Sequence, residues 1–292
     1  MLNHTHIGHE FAPYTVEVEK GRLRFFAKAT RQSDPAYLDE AAARWAGYRS
    51  LPAPPTFLGC LEMESPGSRQ LCALMDLDIG QLLHGEQHFD FRAVAVAGDS
   101  LTFYSRITDI YEKKGGALGF IAIETRVTDQ HGMRVADLRR LVVVRLRGGH
   151  RTRISPPRFA RVPSGCELPW FTGDPVSRLG LALYAVASGD HNPIHIDLDF
   201  ARRAGMSDVF AHGMLGMAHL GHVLTKWSPQ AALRSYGVRF VAITHLGDAL
   251  TFGGRVTDEF EAEGERRVRV HLSAANAAGE IKLNGEAVIA LA

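Results

Sequence analysis

Cysteine is scarce in this chain, and its scarcity excludes two ways of stabilising a protein. The 292 residues include three cysteines, Cys60, Cys72 and Cys166, which lie far apart and form no CxxC pair. Such spacing predicts neither a disulfide framework nor a zinc site. We therefore expect reduced, buried thiols, as in a cytoplasmic protein.

An excess of one charge and long apolar runs are also missing. The 33 Lys and Arg residues balance the 32 Asp and Glu residues to a formal net charge of +1, so no overall field attracts nucleic acid or an anionic membrane surface. No apolar stretch approaches the roughly 20 residues of a membrane-spanning helix. The N-terminus has no basic region followed by an apolar run, as a secretion signal would. The sequence thus predicts no nucleic-acid partner, no membrane association and a cytoplasmic location.

The chain contains an internal repeat. Hydrophobic residues make up 46% of its positions, enough for two ordinary domains or one large one. At an offset of 158 residues, Phe26–Thr56 aligns with Tyr184–Met214 without a gap. Farther along, Gly98–Asp109 matches Gly247–Asp258 at an offset of 149, so the first copy has a longer connection between residues 56 and 91. Such self-similarity indicates two copies of one structural unit.

Each copy reads as an apolar helix, a more buried second helix and a set of strands, which is an α+β arrangement. The predicted helices are residues 21–30, 55–64, 174–188 and 213–226, the third capped by Asp174-Pro175; the predicted strands are 87–96, 101–111, 120–128, 135–146, 236–244, 251–256, 267–272 and 281–291. We expect a first domain over residues 1–147, a linker rich in Arg, Pro and Gly over 148–165, and a second domain over 166–292.

The most informative motif is Ser-Gly-Asp-His-Asn-Pro-Ile-His at residues 188–195. Gly189 and Asn192-Pro193 favour a sharp turn, which can direct Asp190 and His195 into one pocket. A carboxylate and an imidazole that share a water molecule are what general acid–base catalysis requires. On these residues alone, the alternative is an ordinary surface turn in which His195 is a hydrogen-bonded core histidine.

This string resembles the signature of the MaoC-like family, the (R)-specific or type-2 enoyl-CoA hydratases. That signature is an aromatic residue, then Ser-Gly-Asp-x-Asn-Pro-aliphatic-His, then a small residue after a five-residue gap. Tyr184 and Ala201 match its two ends, and His212-Gly213 follows where the family carries a His-Gly step. The resemblance implies a double hot-dog fold, in which two antiparallel sheets each wrap around a central helix. It also implies reversible hydration of trans-2-enoyl-CoA to (R)-3-hydroxyacyl-CoA.

Carried over residue by residue, the resemblance makes Asp190 and His195 the catalytic residues, which we treat as one coupled pair. Gly213 is the expected oxyanion donor, because the first N–H groups of a helix are unpaired and lie at the positive end of its dipole. Asn192 and His212 are grouped with it as candidate substrate-binding residues. Asn192 is better suited to holding the turn through its side chain, and His212 can either orient substrate or simply pack.

The expected ligand is an acyl-CoA held between the two copies, with a medium, long, branched or ring-bearing acyl group. No cofactor and no metal are expected, since His84 and Glu86 are too few ligands for an ion. Candidates for lining an acyl tunnel are Tyr37, Trp45 and Phe57, and candidates for binding the phosphates of coenzyme A are Arg202, Arg203 and Lys226. A homodimer is left open.

The first copy lacks the chemistry of the second. At the 158-residue offset, Asp190 corresponds to Gln32, His195 to Tyr37, and His212-Gly213 to Pro54-Pro55. Glutamine does not titrate, an unperturbed tyrosine has a pKa of about 10, and proline has no N–H to donate. Through Leu83–Gln87 and the turn Tyr111–Gly116, this copy resembles the non-catalytic, FAS1-like dehydratase half of double hot-dog MaoC proteins.

Three alternatives stay open beside the hydratase. A hot-dog acyl-CoA thioesterase would hydrolyse the thioester, and a mesaconyl- or methylfumaryl-CoA-type hydratase would take a short dicarboxylic substrate. A non-catalytic acyl-CoA-binding subunit is the third, and the intact Asp190 and His195 argue against it. The helix after the His-Gly step departs from many relatives, which carry a hydroxyl residue there; this chain has Ala218, His219, Gly221 and His222.

Overall fold

A computed structural model of the protein describes residues 2–113, 115–146 and 165–291. Its helices are α1 (Lys20–Ala29), α2 (Glu40–Trp45), α3 (Phe57–Glu64), α4 (Pro66–Met75), α5 (Arg178–Ser188), α6 (Leu198–Arg203) and α7 (Gly213–Trp227). Its strands are β1 (Tyr14–Glu17), β2 (Leu82–Phe91), β3 (Ser100–Lys113), β4 (Leu118–Thr128), β5 (Arg134–Arg145), β6 (Phe171–Thr172), β7 (Leu233–Phe240), β8 (Leu250–Ala262), β9 (Glu265–Asn276) and β10 (Ile281–Ala290). Within these residues, no helix is long and apolar enough to cross a membrane.

The strands form one antiparallel sheet in the order β1-β3-β4-β5-β2-β7-β10-β9-β8-β6. The first copy supplies one run of five strands and the second copy the other, which confirms the predicted α+β double hot-dog. The two sheets join edge to edge where β2 pairs with β7, from Glu86 opposite Arg239 to Asp90 opposite Ser235. Arg239 Nε donates to Glu86 Oε1 at 2.7 Å across this seam. The pairing removes an exposed edge from each half.

The sheet packs against two central helices, α3 in the first half and α7 in the second. Every residue of α3 from Phe57 to Glu62 is buried, and so are nine residues of α7. The two helices meet, since a Cβ built on Gly59 would lie 3.2 Å from Met214 Cε. One apolar core therefore extends through both halves.

The repeat is visible in the irregularities of the strands. Both long hairpins shift register at equivalent places, between Ile107 and Asp109 in β3 and between Val256 and Asp258 in β8. The longer connection predicted for the first copy contains the additional helix α4. Of the predicted linker, only residue 165 lies in the described part of the chain, so the domain boundaries stay a prediction.

Some element boundaries differ from the sequence-based prediction. The helix predicted from residue 174 begins at Arg178, because the Ser177 hydroxyl accepts a hydrogen bond from the Gly180 N–H at 3.1 Å and caps it there. The strand predicted at 87–96 occupies 82–91, since the N–H groups of Arg92 and Ala93 both turn to the Val135 carbonyl and end the ladder. Apolar residues continue beyond that turn, which is why periodicity alone places this strand too late.

Candidate active site

The motif begins where α5 ends. Gly189 adopts the left-handed conformation, φ 72°, and its N–H donates to the Ala185 carbonyl at 3.1 Å. Glycine is required here for a second reason, because a Cβ at this position would lie 2.6 Å from Glu64 Cγ. Asp190 follows directly, with its N–H donating to Ser188 Oγ at 3.3 Å. A side chain from the first half thus packs on the residue before the candidate catalytic aspartate.

The second part of the motif is a short 3-10 helix, Pro193–His195. The Asn192 side-chain oxygen accepts a hydrogen bond from the Ile194 N–H at 3.2 Å and caps this helix. Its amide nitrogen lies 3.5 Å from the Ile79 carbonyl of the first half. The turn is therefore braced from both sides, and a direct contact between Asn192 and substrate stays a prediction.

The turn brings Asp190, His195 and His212 together, with their ligand-type atoms within 4.8 Å of one another. His195 Nδ1 lies 2.8 Å from the Phe210 carbonyl. Because a carbonyl only accepts, Nδ1 carries the hydrogen and Nε2 of the neutral ring keeps a lone pair. By the same argument His212 Nε2, 3.2 Å from the Asp190 carbonyl, is the protonated nitrogen of that ring. His195 can thus accept a proton at Nε2.

Burial keeps these rings neutral. It lowers the pKa of His195 below 6.5, although Asp190 opposes the shift, and it lowers the pKa of His212 to about 3, with a further contribution from His195. For Asp190, burial raises the pKa, but the neighbouring His212 and His195 and the Asn192 N–H outweigh it, so the pKa lies below 3.8. Near neutral pH the site holds a carboxylate beside two uncharged imidazoles.

This geometry suits a bound water. Two acceptors that each lie about 2.8 Å from one tetrahedral water are about 4.6 Å apart. The ligand-type atoms of Asp190, His195 and His212 lie within 4.8 Å of one another, which allows such a water. The same three residues satisfy the spacing of a metal group. Because a backbone carbonyl engages one nitrogen of each ring, they offer an ion at most three ligands, the open pattern of catalytic metal sites. That no metal is needed stays a prediction.

Gly213 is the first residue of α7, and no side chain caps that end of the helix. A Cβ there would lie 2.8 Å from Phe240 Cδ1. The glycine is therefore required by the packing of Phe240, a reason that the sequence did not reveal. Its role as an oxyanion donor stays a prediction, supported by its place at the positive end of α7 beside His212.

The first half contributes neighbours that sequence reasoning did not connect with the site. Glu64 packs on Gly189 and pairs with Arg22 at 2.5 Å. The His84 ring lies 5.1 Å from the Phe240 ring. Burial, followed by the nearby Arg140, lowers the pKa of His84 to about 4. These contacts join strands and helices from different copies, so no local motif marks them.

The counterpart of the site in the first half is closed by other contacts. The Tyr37 hydroxyl donates to Gln230 Oε1 at 2.7 Å, and Gln230 Nε2 donates to the Ala53 carbonyl at 2.8 Å. Tyr37 and Phe57 are buried, but Trp45 is 92% exposed, so its expected place in a tunnel is wrong. Arg202 and Arg203 are exposed on α6, and Lys226 lies over the Phe171 ring.

Substituting Gly189 with Ala should destabilise the protein and slow enoyl-CoA hydration, the activity expected from the family resemblance. The left-handed backbone costs about 1–3 kcal/mol for a residue with a side chain, and the new Cβ must displace Glu64. Gly205 is the matched control, because it has φ 83° with nothing within 4 Å of a Cβ. Urea unfolding and steady-state kinetics are measured for Gly189→Ala and Gly205→Ala. Losses shared by both variants report the left-handed backbone, and the additional loss in Gly189→Ala reports the displacement of Glu64. Equal losses in both variants would contradict the role of Glu64.

Acid should destabilise the fold through histidines whose pKa values fall on folding. Burial is the first cause at each, and the values are about 4 for His84, 3 for His212, 4 for His219 and 3 for His222. Between pH 6.5 and these values the unfolded chain binds protons that the folded chain does not. The contribution of these histidines to the free energy of unfolding is therefore fully present above about pH 6.5. It decreases as pH falls, by about 1.4 kcal/mol per pH unit for each histidine.

Urea unfolding between about pH 7 and pH 5 tests this dependence. In the variant His222→Gln, the slope of the free energy of unfolding against pH should be smaller, because about one proton fewer is taken up on unfolding. A free energy of unfolding that does not change over this interval would contradict the prediction.

The fold and the clustered groups define a double hot-dog protein with a candidate acid–base site in its second half. A family profile described as "FAS1-like, dehydratase domain region" matches residues 5–138, and one described as "MaoC like domain" matches residues 171–278. The chain therefore contains a FAS1-like dehydratase region in its first half and a MaoC-like domain in its second half.

Three known proteins illustrate the relationship. A solved MaoC-like dehydratase superposes with a TM-score of 0.82 at 26% identity, over 98% of this chain and 99% of the other. A UPF0336 protein of Thermobifida fusca is 32% identical over 145 residues, 49% of this chain and 94% of that protein. The enoyl-CoA hydratase ChsH3 of Mycobacterium tuberculosis is 28% identical over 186 residues, 61% of this chain and 62% of that protein.

Proposed function

We propose that the protein reversibly hydrates a trans-2-enoyl-CoA to an (R)-3-hydroxyacyl-CoA, with Asp190 and His195 as its acid–base pair. The observation that carries this proposal is the meeting of a partly buried carboxylate with a buried imidazole whose Nε2 is free to accept a proton. The similarity to a protein named as an enoyl-CoA hydratase supports the substrate class. We expect this chemistry in the cytoplasm.

In the forward direction a water lies between the Asp190 carboxylate and His195 Nε2. The water oxygen forms a bond to C3 of the enoyl thioester while one water proton passes to the Asp190–His195 pair. The C2–C3 π electrons move to C2 and the thioester carbonyl, forming an enolate. The pair then delivers a proton to C2, so that one water is added and the enzyme is regenerated. We assign these transfers to the pair and not to one member.

Two features lower the barrier for this addition. The Gly213 N–H, at the start of α7, donates to the enolate oxygen as negative charge develops there. The buried His195 and the partly buried Asp190 limit the access of bulk water and hold the one reacting water on a single face of the alkene. A water fixed on one face gives one stereochemical outcome, which we propose is (R). The exposed Arg202 and Arg203 are proposed to bind the phosphates of coenzyme A.

An absorbance assay separates this reaction from its rivals. Purified protein is incubated with a trans-2-enoyl-CoA, while the conjugated enoyl absorbance and free thiol are followed in parallel. The proposal expects loss of the enoyl absorbance without release of thiol, and chiral analysis should identify the (R) product. Thiol release would indicate a thioesterase, formation of the (S) product would contradict the stereochemical assignment, and no reaction with any enoyl-CoA would favour a binding subunit.

A further inference from the structure

The interior of the first half contains polar residues where the second half is apolar. The register of the strands makes Thr125 of β4 equivalent to Leu272 of β9, and Arg140 of β5 equivalent to Ala287 of β10. Continuing the 158-residue offset into the central helices pairs Glu62 with Leu220. Each of the three second-half residues is fully buried. Apolar side chains therefore fit these three positions of the fold, and the first half has polar side chains there instead.

These three buried residues and the partly exposed Ser68 and Ser105 form one hydrogen-bonded cluster, which we call the Glu62 cluster: Glu62, Ser68, Ser105, Thr125 and Arg140. The Thr125 hydroxyl donates to Glu62 Oε1 at 2.5 Å and lies 2.8 Å from Ser105 Oγ. Arg140 Nη2 lies 3.5 Å from Ser68 Oγ, and the Ser68 hydroxyl donates to the Glu62 carbonyl at 3.1 Å. The exposed fractions of Glu62, Thr125 and Arg140 are 1%, 1% and 6%.

Two strong hydrogen-bonding atoms of the cluster have no partner in the described part of the chain. They are Glu62 Oε2, which can only accept when the carboxyl is ionised, and Arg140 Nε, which can only donate. A buried charged group with an unmade hydrogen bond is strongly destabilising. Each such group in a native protein needs an explanation, and a bound molecule that makes the missing bonds is one.

The cluster adjoins the candidate active site. Arg140 Nη1 lies 2.6 Å from Met63 Sδ, and Met63 is partly exposed. Arg140 is also paired across the strands with Gln87, whose Oε1 accepts from His84 Nε2 at 3.0 Å. From His84 the contacts continue through Phe240 to Gly213. Met63 has a flexible side chain, is partly exposed, and contacts the guanidinium through its sulfur.

We propose that the Glu62 cluster binds a hydroxyl group on the distal part of the substrate's acyl chain. A hydroxyl group matches the chemistry of both orphan atoms, because it can donate to Glu62 Oε2 and accept from Arg140 Nε. An alkyl end makes neither bond, an oxo group makes only one, and a carboxylate is repelled by Glu62. The preferred substrate is thus a hydroxylated trans-2-enoyl-CoA whose chain reaches past Met63. This inference rests on the proposed hydratase function.

The test is a panel of ω-hydroxy trans-2-enoyl-CoAs of increasing length, each compared with the alkyl substrate of equal length. At the length that reaches the cluster, the wild-type protein should favour the hydroxylated substrate by about tenfold or more in kcat/KM, as expected for hydrogen bonds to charged groups. In Glu62→Leu and Arg140→Met this preference should fall to about one, while kcat/KM for the alkyl substrates changes less than about twofold. Glu62→Leu, which restores the residue type of the second half, should unfold at the same or a higher urea concentration.

Gln32→Leu is the matched control, because it also removes a buried first-half side chain with an unpartnered nitrogen. It should leave the hydroxyl preference unchanged. If Glu62→Leu does not fold, Glu62→Gln and Thr125→Val replace it, since both retain the volume of the side chain. A wild-type protein without hydroxyl preference at any length would overturn the proposal, as would variants that lower the rates for both substrate types equally.

Calorimetry keeps this test separate from that of the reaction. The binding of hydroxylated and alkyl acyl-CoAs to wild-type protein is measured without turnover. If no enoyl-CoA is hydrated but the hydroxylated ligand still binds about tenfold more tightly, the proposed reaction fails and the subsite stands. If hydration is observed without any hydroxyl preference in binding or rate, the reaction stands and the subsite is refuted.

Discussion

Substituting Asp190 with Asn should lower kcat for enoyl-CoA hydration by at least about a hundredfold, because general acid–base participation contributes that much or more. The amide has nearly the same shape, so the Asn192 N–H can still donate to the side chain at this position. The variant should therefore stay folded. His195→Gln should have a similar effect, since it removes the free Nε2 lone pair. Steady-state kinetics and thermal unfolding of both variants provide the measurement.

Two substitutions in the first half serve as controls for this result. Gln32→Ala and Tyr37→Phe alter the positions that correspond to Asp190 and His195 in the repeat. The Tyr37 hydroxyl donates a hydrogen bond to Gln230, so removing this hydroxyl should lower stability or substrate affinity. The chemical step should stay largely intact. Full activity of both second-half variants would refute the acid–base assignment, and a collapse of kcat in either control would place chemistry in the first half.

Separating the halves should abolish activity altogether. Expressed alone, residues 166–292 would expose the edge of β7 that pairs with β2, and an unpaired edge promotes aggregation or self-pairing. The fragment would also lose the shared core and the Glu64 contact on Gly189. We expect it to be insoluble, self-paired or inactive, as measured by size-exclusion chromatography and the enoyl-CoA assay.

Co-expression with residues 1–147 is the control for this experiment. It should restore soluble protein and activity, because the β2–β7 pairing and the core can form between two chains. A monomeric and fully active second-half fragment would show that the first half is unnecessary.

Much of the architecture could be predicted from local patterns. The self-similarity at two offsets predicted two copies and a longer connection in the first, and the register shifts and α4 confirm both. The motif at residues 188–195 predicted a sharp turn after an apolar segment, because glycine, asparagine and proline act on their own backbone. Boundaries were less accurate: Asp174-Pro175 resembles a cap, but Ser177 makes the hydrogen bond.

The neighbours of the site could not be predicted in this way. Glu64 lies far from Gly189 in sequence, and His84 far from Phe240; the first contact exists because helices of different copies pack together, and the second because β2 pairs with β7. Nothing in the sequence around Gly213 indicates the Phe240 ring, which a Cβ at this position would approach to 2.8 Å. Trp45 was read as a tunnel residue and is exposed. Hydrophobicity at helical spacing does not distinguish these outcomes.

The MaoC-like signature, the repeat and the position of the acid–base motif could all be recognised from residue types and spacings alone, because these act over a few turns of chain. The tautomer of His195, the packing of Glu64 on Gly189 beside Asp190, and the burial of Glu62 and Arg140 with unmade hydrogen bonds are seen only in the folded chain. Those properties depend on distances between atoms far apart in the chain. Such distances are set when the two sheets join at β2 and β7 and their core closes.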